Sequence, residues 1–497
     1  MYRLIAFAAL LTLAQACCAQ GADVPLVRTP GDLAALAPDT QAIEFYADDA
    51  AEHYSFEHLP NLASVSTDEQ SLVHLADLRT VKHLEIWGLE HPNVALAHLG
   101  QWTNLESLRL DGGADTLRRG LRHLKANTKL KRFTTTQSLT QQSARDLGLF
   151  ERLEYIAANF SRFAGLGTAR ELLGLPNSKR FAHVELHFRD TVEPEVVRLL
   201  AKLPGLAVLD LRWTTQIDDF TEPLRGHEGV REIDFYNHRL TYRMMQNLAS
   251  CPNLERLHLT CCKGLGDTGL LEFKDHASLQ VLDLSYVNGV TPRALKRLRC
   301  SKLQNLNLVG CSGVDADSMA SVARLPALRE LSVGGSESFD DTSMALVARM
   351  NHLTSLRLHN AVALTVEGWT ELLRMTWLEN LNVERCEVPA DVLVLLTALT
   401  RLRTLNLRGS ANMSDDLFLR LTELPMLRYI ACDTDRLGED AQIEVHKRHP
   451  ALSQVVRPPR NTPYQARWMK TQRKLAELFP EQIRRERLDD SEYWWQD

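Results

Sequence analysis

Several familiar signatures are missing from this 497-residue chain, and each absence closes off a class of function. No segment past the N-terminus carries about 18 uninterrupted apolar residues, the least a membrane-spanning helix needs. Nine cysteines occur, yet none are spaced Cys-x-x-Cys, which argues against a zinc ribbon or a thioredoxin-like redox pair. There is no HExxH, no GxSxG and no Gly-rich phosphate loop after a strand, so no catalytic motif stands out. Basic residues are not in excess: 57 Lys and Arg face 63 Asp and Glu, for a formal charge of −6. Nucleic acid is therefore a poor main partner, because phosphate binding wants a basic stripe.

What the chain has instead is a recurring phrase. It reads LERLHL at Leu254, LQVLDL at Leu279, LQNLNL at Leu303 and LRELSV at Leu328, in steps of 25, 24 and 25 residues. Upstream copies start at Leu62, Val81, Leu105, Leu130, Leu153, Phe181, Leu206 and Val230, and downstream ones at Leu353, Leu378, Leu402, Leu427 and Leu452. That makes seventeen units, and every step from Phe181 onward is 24 or 25 residues. A fixed period of this length signals a solenoid with one strand and one helix per turn.

Other columns keep the same frame. Apolar anchors fall at Leu265, Val290, Val314, Phe339, Leu364 and Met413. Thr291, Asp315, Asp340, Thr365 and Ser414 follow five of them and suit a helix N-cap, where a side-chain oxygen accepts a free backbone N–H. Pairs three apart, such as Met319/Val322 and Met344/Val347, then share one helix face. The units from Leu62 to Leu153 are degenerate, with Thr134-Thr135-Thr136 and Ala157-Ala158 in place of Leu. The 28-residue step from Leu153 to Phe181 carries Gly165, Gly167 and Gly174, and reads as a kink or surface loop.

Cys262, Cys311 and Cys386 share a column just past the strand, and in that column the chain resembles the cysteine-containing leucine-rich repeats, which are similar to the ribonuclease-inhibitor type. The resemblance spans residues 62–456. It implies an α/β solenoid, a right-handed horseshoe with a parallel sheet on the concave face and helices on the convex one, and protein ligands held on the concave side. Cysteine fills its column in three units only, and no F-box-like segment precedes the repeats, so a ubiquitin-ligase-adaptor role is a lesser alternative. Bacterial ligases with such repeats place a catalytic Cys domain after the array, whereas the last cysteine here, Cys432, lies inside a repeat. Cysteines two repeats apart are about 10 Å distant, beyond a disulfide's reach of about 7 Å, and read as buried small hydrophobes.

The ends divide as follows. Residues 1–19 read as an export signal: Arg3, an apolar core Leu4–Leu13, and the small-residue site Ala14-Gln15-Ala16. Two fates stand open, cleavage near Ala16, Ala19 or Ala22, and lipidation at Cys17 in a relaxed lipobox. Residues 23–61, with Ile43-Glu44-Phe45 as a single strand-like run, form an N-terminal cap, since end repeats need a polar outer face. After Arg457-Pro458-Pro459-Arg460 the tail 457–497 carries a cap helix and a tryptophan pair, Trp494-Trp495. The sequons at Asn159 and Asn412 would put a glycan on the presumed binding side in the first case, which favours a bacterial source.

Function is read from the polar face of the strands. If the Leu residues at offsets three and five point inward, offsets two, four and six face the other side. Offset four gives Glu185, Asp210, Asp234, His258 and Asp283 on successive strands, about 5 Å apart. Offset six adds His187, Arg212 and Tyr236; offset two adds His183, Glu232 and Arg256. Arg212 and Arg256 either neutralise this acidity within a solvated face or leave a docking patch for a basic segment of a protein partner. His183 and His187 are four strand residues apart, about 13 Å, too far to grip one ion. The expected ligand-binding set is therefore Glu185, His187, Asp210, Arg212, Asp234, Tyr236, Arg256, His258 and Asp283, with no catalytic residue, metal or cofactor. The chain reads as an exported, non-catalytic scaffold for protein recognition; the alternative is an envelope structural protein, its only membrane link a lipid on Cys17.

Overall fold

The repeated phrase becomes one rung of a parallel ladder. The structure, a computed structural model, describes residues 24–48, 52–112, 117, 120–160, 165–188, 193–212, 221–410, 412–433, 437–449 and 453–457. The export signal, Cys17 and the tryptophan-bearing tail lie outside these residues. The chain divides into two compact units with their boundary between His258 and Leu259.

In the first unit the strands are β1 (Leu26–Val27), β2 (Ala42–Phe45), β3 (Ser64–Asp68), β4 (His83–Leu89) and β5 (Ser107–Gly112). They continue as β6 (Arg132–Ser138), β7 (Tyr155–Phe160), β8 (His183–Phe188), β9 (Leu206–Asp210) and β10 (Glu232–Tyr236). Each pairs in parallel with the next. Strand β11 (Arg256–Thr260) carries the boundary. The second unit runs through β12 (Val281–Asp283), β13 (Asn305–Asn307), β14 (Glu330–Gly334), β15 (Ser355–His359), β16 (Asn380–Asn382), β17 (Thr404–Asn406), β18 (Tyr429–Asp433) and β19 (Ser453–Arg457), again parallel throughout. Strands β1 and β2 lie in the segment read as a cap, and both extend the ladder; only Ile43–Phe45 was visible as a strand beforehand.

Side-chain alternation decides which face is the core. The inward positions, such as Leu209, Ile233, Leu257, Leu306 and Leu356, are buried, while most of the residues flanking them, Asp210 apart, are partly open. The connecting helices start where the N-cap column places them. Thr291, Asp315, Asp340, Thr365 and Ser414 each accept a backbone N–H two or three residues ahead. Their inner pairs, including Met319/Val322 and Trp369/Leu372, are buried against the strands.

Two local expectations need correction. The glycine-bearing step after Leu153 is not a loop among its described residues: Leu166–Gly174 form a nine-residue helix that buries Thr168, Ala169 and Leu172. Gly165 serves as its N-cap in extended backbone. Asn159 is 3% exposed and its Nδ2 donates to the Thr136 carbonyl, so this sequon has no free amide to carry a glycan.

The cysteines do more than fill space. Among the described residues all are free thiols. Cys311 donates to the Leu284 carbonyl at 3.0 Å, Cys386 to Leu358 at 3.2 Å, Cys251 to Leu224 at 3.1 Å and Cys300 to Phe273 at 3.0 Å. Each thiol thus donates to a carbonyl of the preceding repeat, at the end of a helical turn for Cys251 and Cys300 and in or just past the strand for Cys311 and Cys386. Burial pushes the Cys311 thiol up to about 12, which keeps it a donor.

Candidate functional site

A side-chain network crosses the polar face of β6 to β10. It begins on β6, from which Arg132 Cζ lies 4.1 Å over the Tyr155 ring of β7, and Tyr155 stacks on His183 at 4.9 Å and 5°. The Tyr155 hydroxyl donates to Glu185 Oε1 at 2.6 Å, and His183 Nε2 meets the same oxygen at 2.8 Å. His187 follows, with Nε2 at 3.8 Å from Glu185 Oε2 and Nδ1 at 3.2 Å from Asp210 Oδ2. Arg212 closes the chain, with Nη2 at 2.9 Å from Asp210 Oδ2 and Nε at 3.0 Å from Asp234 Oδ2.

One shift in register makes this possible. An unbroken 25-residue frame would set Glu185 beside Asp210, acid against acid. Between β8 and β9 the pairing slips, so that Glu185 lies opposite Val208 and His187 opposite Asp210. A slip of two residues keeps every side chain on its original face, so the hydrophobic pattern does not report it. Gly205 lets it happen: a Cβ there would sit 2.0 Å from the Phe181 carbonyl oxygen, and the Gly205 carbonyl accepts from Val184 N at 2.7 Å. From β9 to β10 the plain frame returns and Asp234 does lie opposite Asp210, with Arg212 between them.

The offset-four column has a structural duty that charge-reading alone hides. Asp210 Oδ1 accepts from Arg212 N at 3.0 Å, two residues ahead. The same turn recurs at Asp283 with Ser285 N (2.7 Å), Asn307 with Val309 N (3.1 Å), Asn382 with Glu384 N (2.9 Å) and Asn406 with Arg408 N (3.1 Å). Each is the last residue of its strand, and the side chain caps the backbone as it leaves the ladder. Asp210, at 3% exposure, and Asp283, whose second oxygen accepts from Asn307 Nδ2 at 3.0 Å, are therefore engaged internally.

The carboxylates behave accordingly. Burial opposes ionisation of Glu185, but bonds from His183, His187 and Tyr155 outweigh it and hold the carboxyl far below the usual range. Burial likewise opposes ionisation of Asp210, and His187 and Arg212 outweigh it. For His187, 9% exposed, burial works against the proton, while Asp210 and Glu185 more than compensate and raise its pKa. The Tyr155 hydroxyl is raised by burial and then by Glu185, so it stays a donor.

These directions set a pH dependence. A raised His187 contributes stability that is fully present below its unfolded pKa of about 6.5 and is lost as pH rises through the folded value. The depressed carboxylates contribute stability that is present above about pH 4 and is lost as pH falls. The urea midpoint of the first unit is expected to be highest between about pH 4.5 and 6.5 and to decline towards pH 8.5. In His187→Gln the alkaline decline should flatten; a wild-type midpoint that rises from pH 6 to 8.5 would contradict this assignment.

The expected site residues thus part company. Glu185, His187, Asp210, Arg212 and Asp234 come together as a self-neutralised network. Arg256 pairs with Glu232 at 3.2 Å, with His258 Nε2 4.0 Å from the same carboxylate, while Tyr236, at the far end of the same strand as Glu232, is 48% exposed. Asp283 belongs to the second unit and is no part of this cluster. Tyr155 and Arg132 escaped sequence reading because they lie in the degenerate repeats, although Tyr155 holds the same offset as His183. Among the described residues no group of three or more His, Cys, Asp or Glu is placed to hold a metal ion.

The fold and this face together define a leucine-rich-repeat solenoid of the α/β class, one strand and one helical connection per unit. No protein-family model matches the chain, and no curated protein matches it by sequence. Among solved structures it is similar to an internalin from Listeria monocytogenes, at 15% identity over 74% of this chain and 93% of that one, with a TM-score of 0.37. It is also similar to a leucine-rich-repeat protein from Leptospira interrogans, at 15% identity over 80% and 91%, with a TM-score of 0.34.

Proposed function

We propose that the chain is an exported scaffold that recognises a protein partner through the strand face around Tyr236 and Arg256. The observation that carries this reading is the exposed Tyr236 on the same strand face as Arg256 and His258, next to a network whose own charges are already paired. Tyr and Arg are the residue types that anchor protein interfaces, and a rigid base lowers the entropic cost of binding. The partner's chemistry differs from the basic segment expected from charge alone. Glu185, Asp210, Asp234 and Glu232 each have a cation or histidine in contact, so they leave no uncompensated acidity to attract one.

Export rests on the first 22 residues of the sequence, and among the described residues no helix is long and apolar enough to cross a membrane. Mass spectrometry of the mature N-terminus separates ordinary cleavage from acylation of Cys17, and with it the free scaffold from the anchored envelope protein. For the recognition face the test is affinity capture from the native host with wild type and Tyr236→Ala/Arg256→Ala. Both side chains are half-open, so the variant should keep its circular dichroism spectrum and melting point. Captured partner is expected to fall by about tenfold or more, the usual consequence of truncating an interface anchor. An unchanged set of captured proteins would remove this reading.

A further inference from the structure

The second unit carries a different kind of surface. A shallow hollow of about 470 Å³, including the solvent at its mouth, lies on the strand face of β13 to β18. Its floor is two columns of side chains fixed by the ladder. One runs Asn305, Glu330, Ser355, Asn380, Thr404, Tyr429, and the other Ser332, Arg357, Asn382, Asn406. Amides and hydroxyls dominate, and the only acid and base in the lining, Glu330 and Arg357, cancel in charge. None of the large exposed apolar side chains among the described residues lies in this lining.

One group in the hollow is unsatisfied. Asn382 is 6% exposed; its Oδ1 is turned back onto Glu384 N, and its Nδ2 has no partner. A buried donor left unmade is costly, and the cost is relieved by anything that brings an acceptor. Asn382 sits between Arg357 and Asn406 on the neighbouring strands, so the acceptor would enter from the hollow.

We propose that this hollow binds a neutral oligosaccharide. Charge neutrality argues against nucleic acid and anionic glycans, which need a basic surface. The lack of exposed aromatic or aliphatic anchors argues against a protein interface, which needs them. Vicinal sugar hydroxyls donate and accept at once, and so match a floor on which amide nitrogens and carboxamide or hydroxyl oxygens alternate at strand spacing, about 4.8 Å. The Asn382 amide would donate to a ring hydroxyl, with Asn380 and Ser355 beside it.

The test is titration calorimetry of the full chain with three uncharged probes, cellotetraose, maltotetraose and chitotetraose, against a heparin tetrasaccharide and a neutral Gly/Ser peptide. At least one uncharged sugar is expected to bind, with neither heparin nor the peptide competing. Asn380→Ala/Ser355→Ala, which leaves the strand-ending turns intact, should weaken that sugar by about tenfold, the loss of one or two hydrogen bonds. Tyr236→Ala, in the other unit, should leave sugar affinity unchanged, which keeps this result independent of the protein-binding face. No binding by all three sugars, preference for heparin or the peptide, or affinity indifferent to Asn380→Ala/Ser355→Ala would each overturn the proposal.

Discussion

Replacing Asp210 by Ala should cost the first unit about 3–5 kcal/mol of unfolding free energy, the range for breaking a buried ion pair from one side. The reason lies in what the carboxylate holds. Its loss strands His187 between Glu185 and an empty space, frees one arm of Arg212, and removes the acceptor for Arg212 N. Asp210→Asn separates these duties. Asn occupies the same column at Asn307, Asn382 and Asn406 and makes the same strand-ending turn there, so Asp210→Asn should keep the backbone bond and lose only the charge. Urea denaturation followed by circular dichroism should rank the three proteins wild type, Asn, Ala. An Ala variant within about 0.5 kcal/mol of wild type, the ordinary scatter of surface changes, would mean that Asp210 is a solvated charge after all.

Gly205→Ala is the second large effect. Its methyl group would meet the Phe181 carbonyl oxygen at 2.0 Å, against backbone and not a flexible side-chain end. Overpacking of this kind costs about 1–3 kcal/mol or more, and here relief requires β8 and β9 to move apart. The expected result is a fall in melting temperature together with loss of the raised His187 pKa, followed by imidazole NMR, because the slip that pairs His187 with Asp210 would be undone. A destabilised protein in which His187 still titrates high would show that the register does not depend on this glycine. The paired measurement separates a general loss of stability from a specific loss of alignment.

Much of this architecture was legible beforehand, and the physical reason is repetition. A Leu column at a constant step, Thr, Asp or Ser before each helix, and cysteines too far apart to bridge all follow from local chemistry summed over many copies. The lapses fall where a repeat changes without changing its pattern. From Glu185 onward β8 pairs with β9 two residues away from the repeat frame, one full strand period, which leaves apolar and polar positions where they were. Asp210 and Asp283 look like surface acids in a list of charges, yet each closes its own backbone two residues ahead, a local bond that Asn makes equally well. The glycines before Phe181 suggested a loop, but Gly165 and Gly174 stand at the two ends of a helix, where glycine is also at home.

Strand β1 carries a consequence for the life of the molecule in a crowded solution. The starting edge of any open sheet invites a stray chain to dock and seed polymer growth. Here that edge is two residues long and bracketed by Pro25 and Pro30, neither of which has an amide hydrogen to offer. An intruder on this strand would gain one or two bonds and then meet a dead end, so among the described residues this short, proline-flanked edge gives fibril growth little purchase.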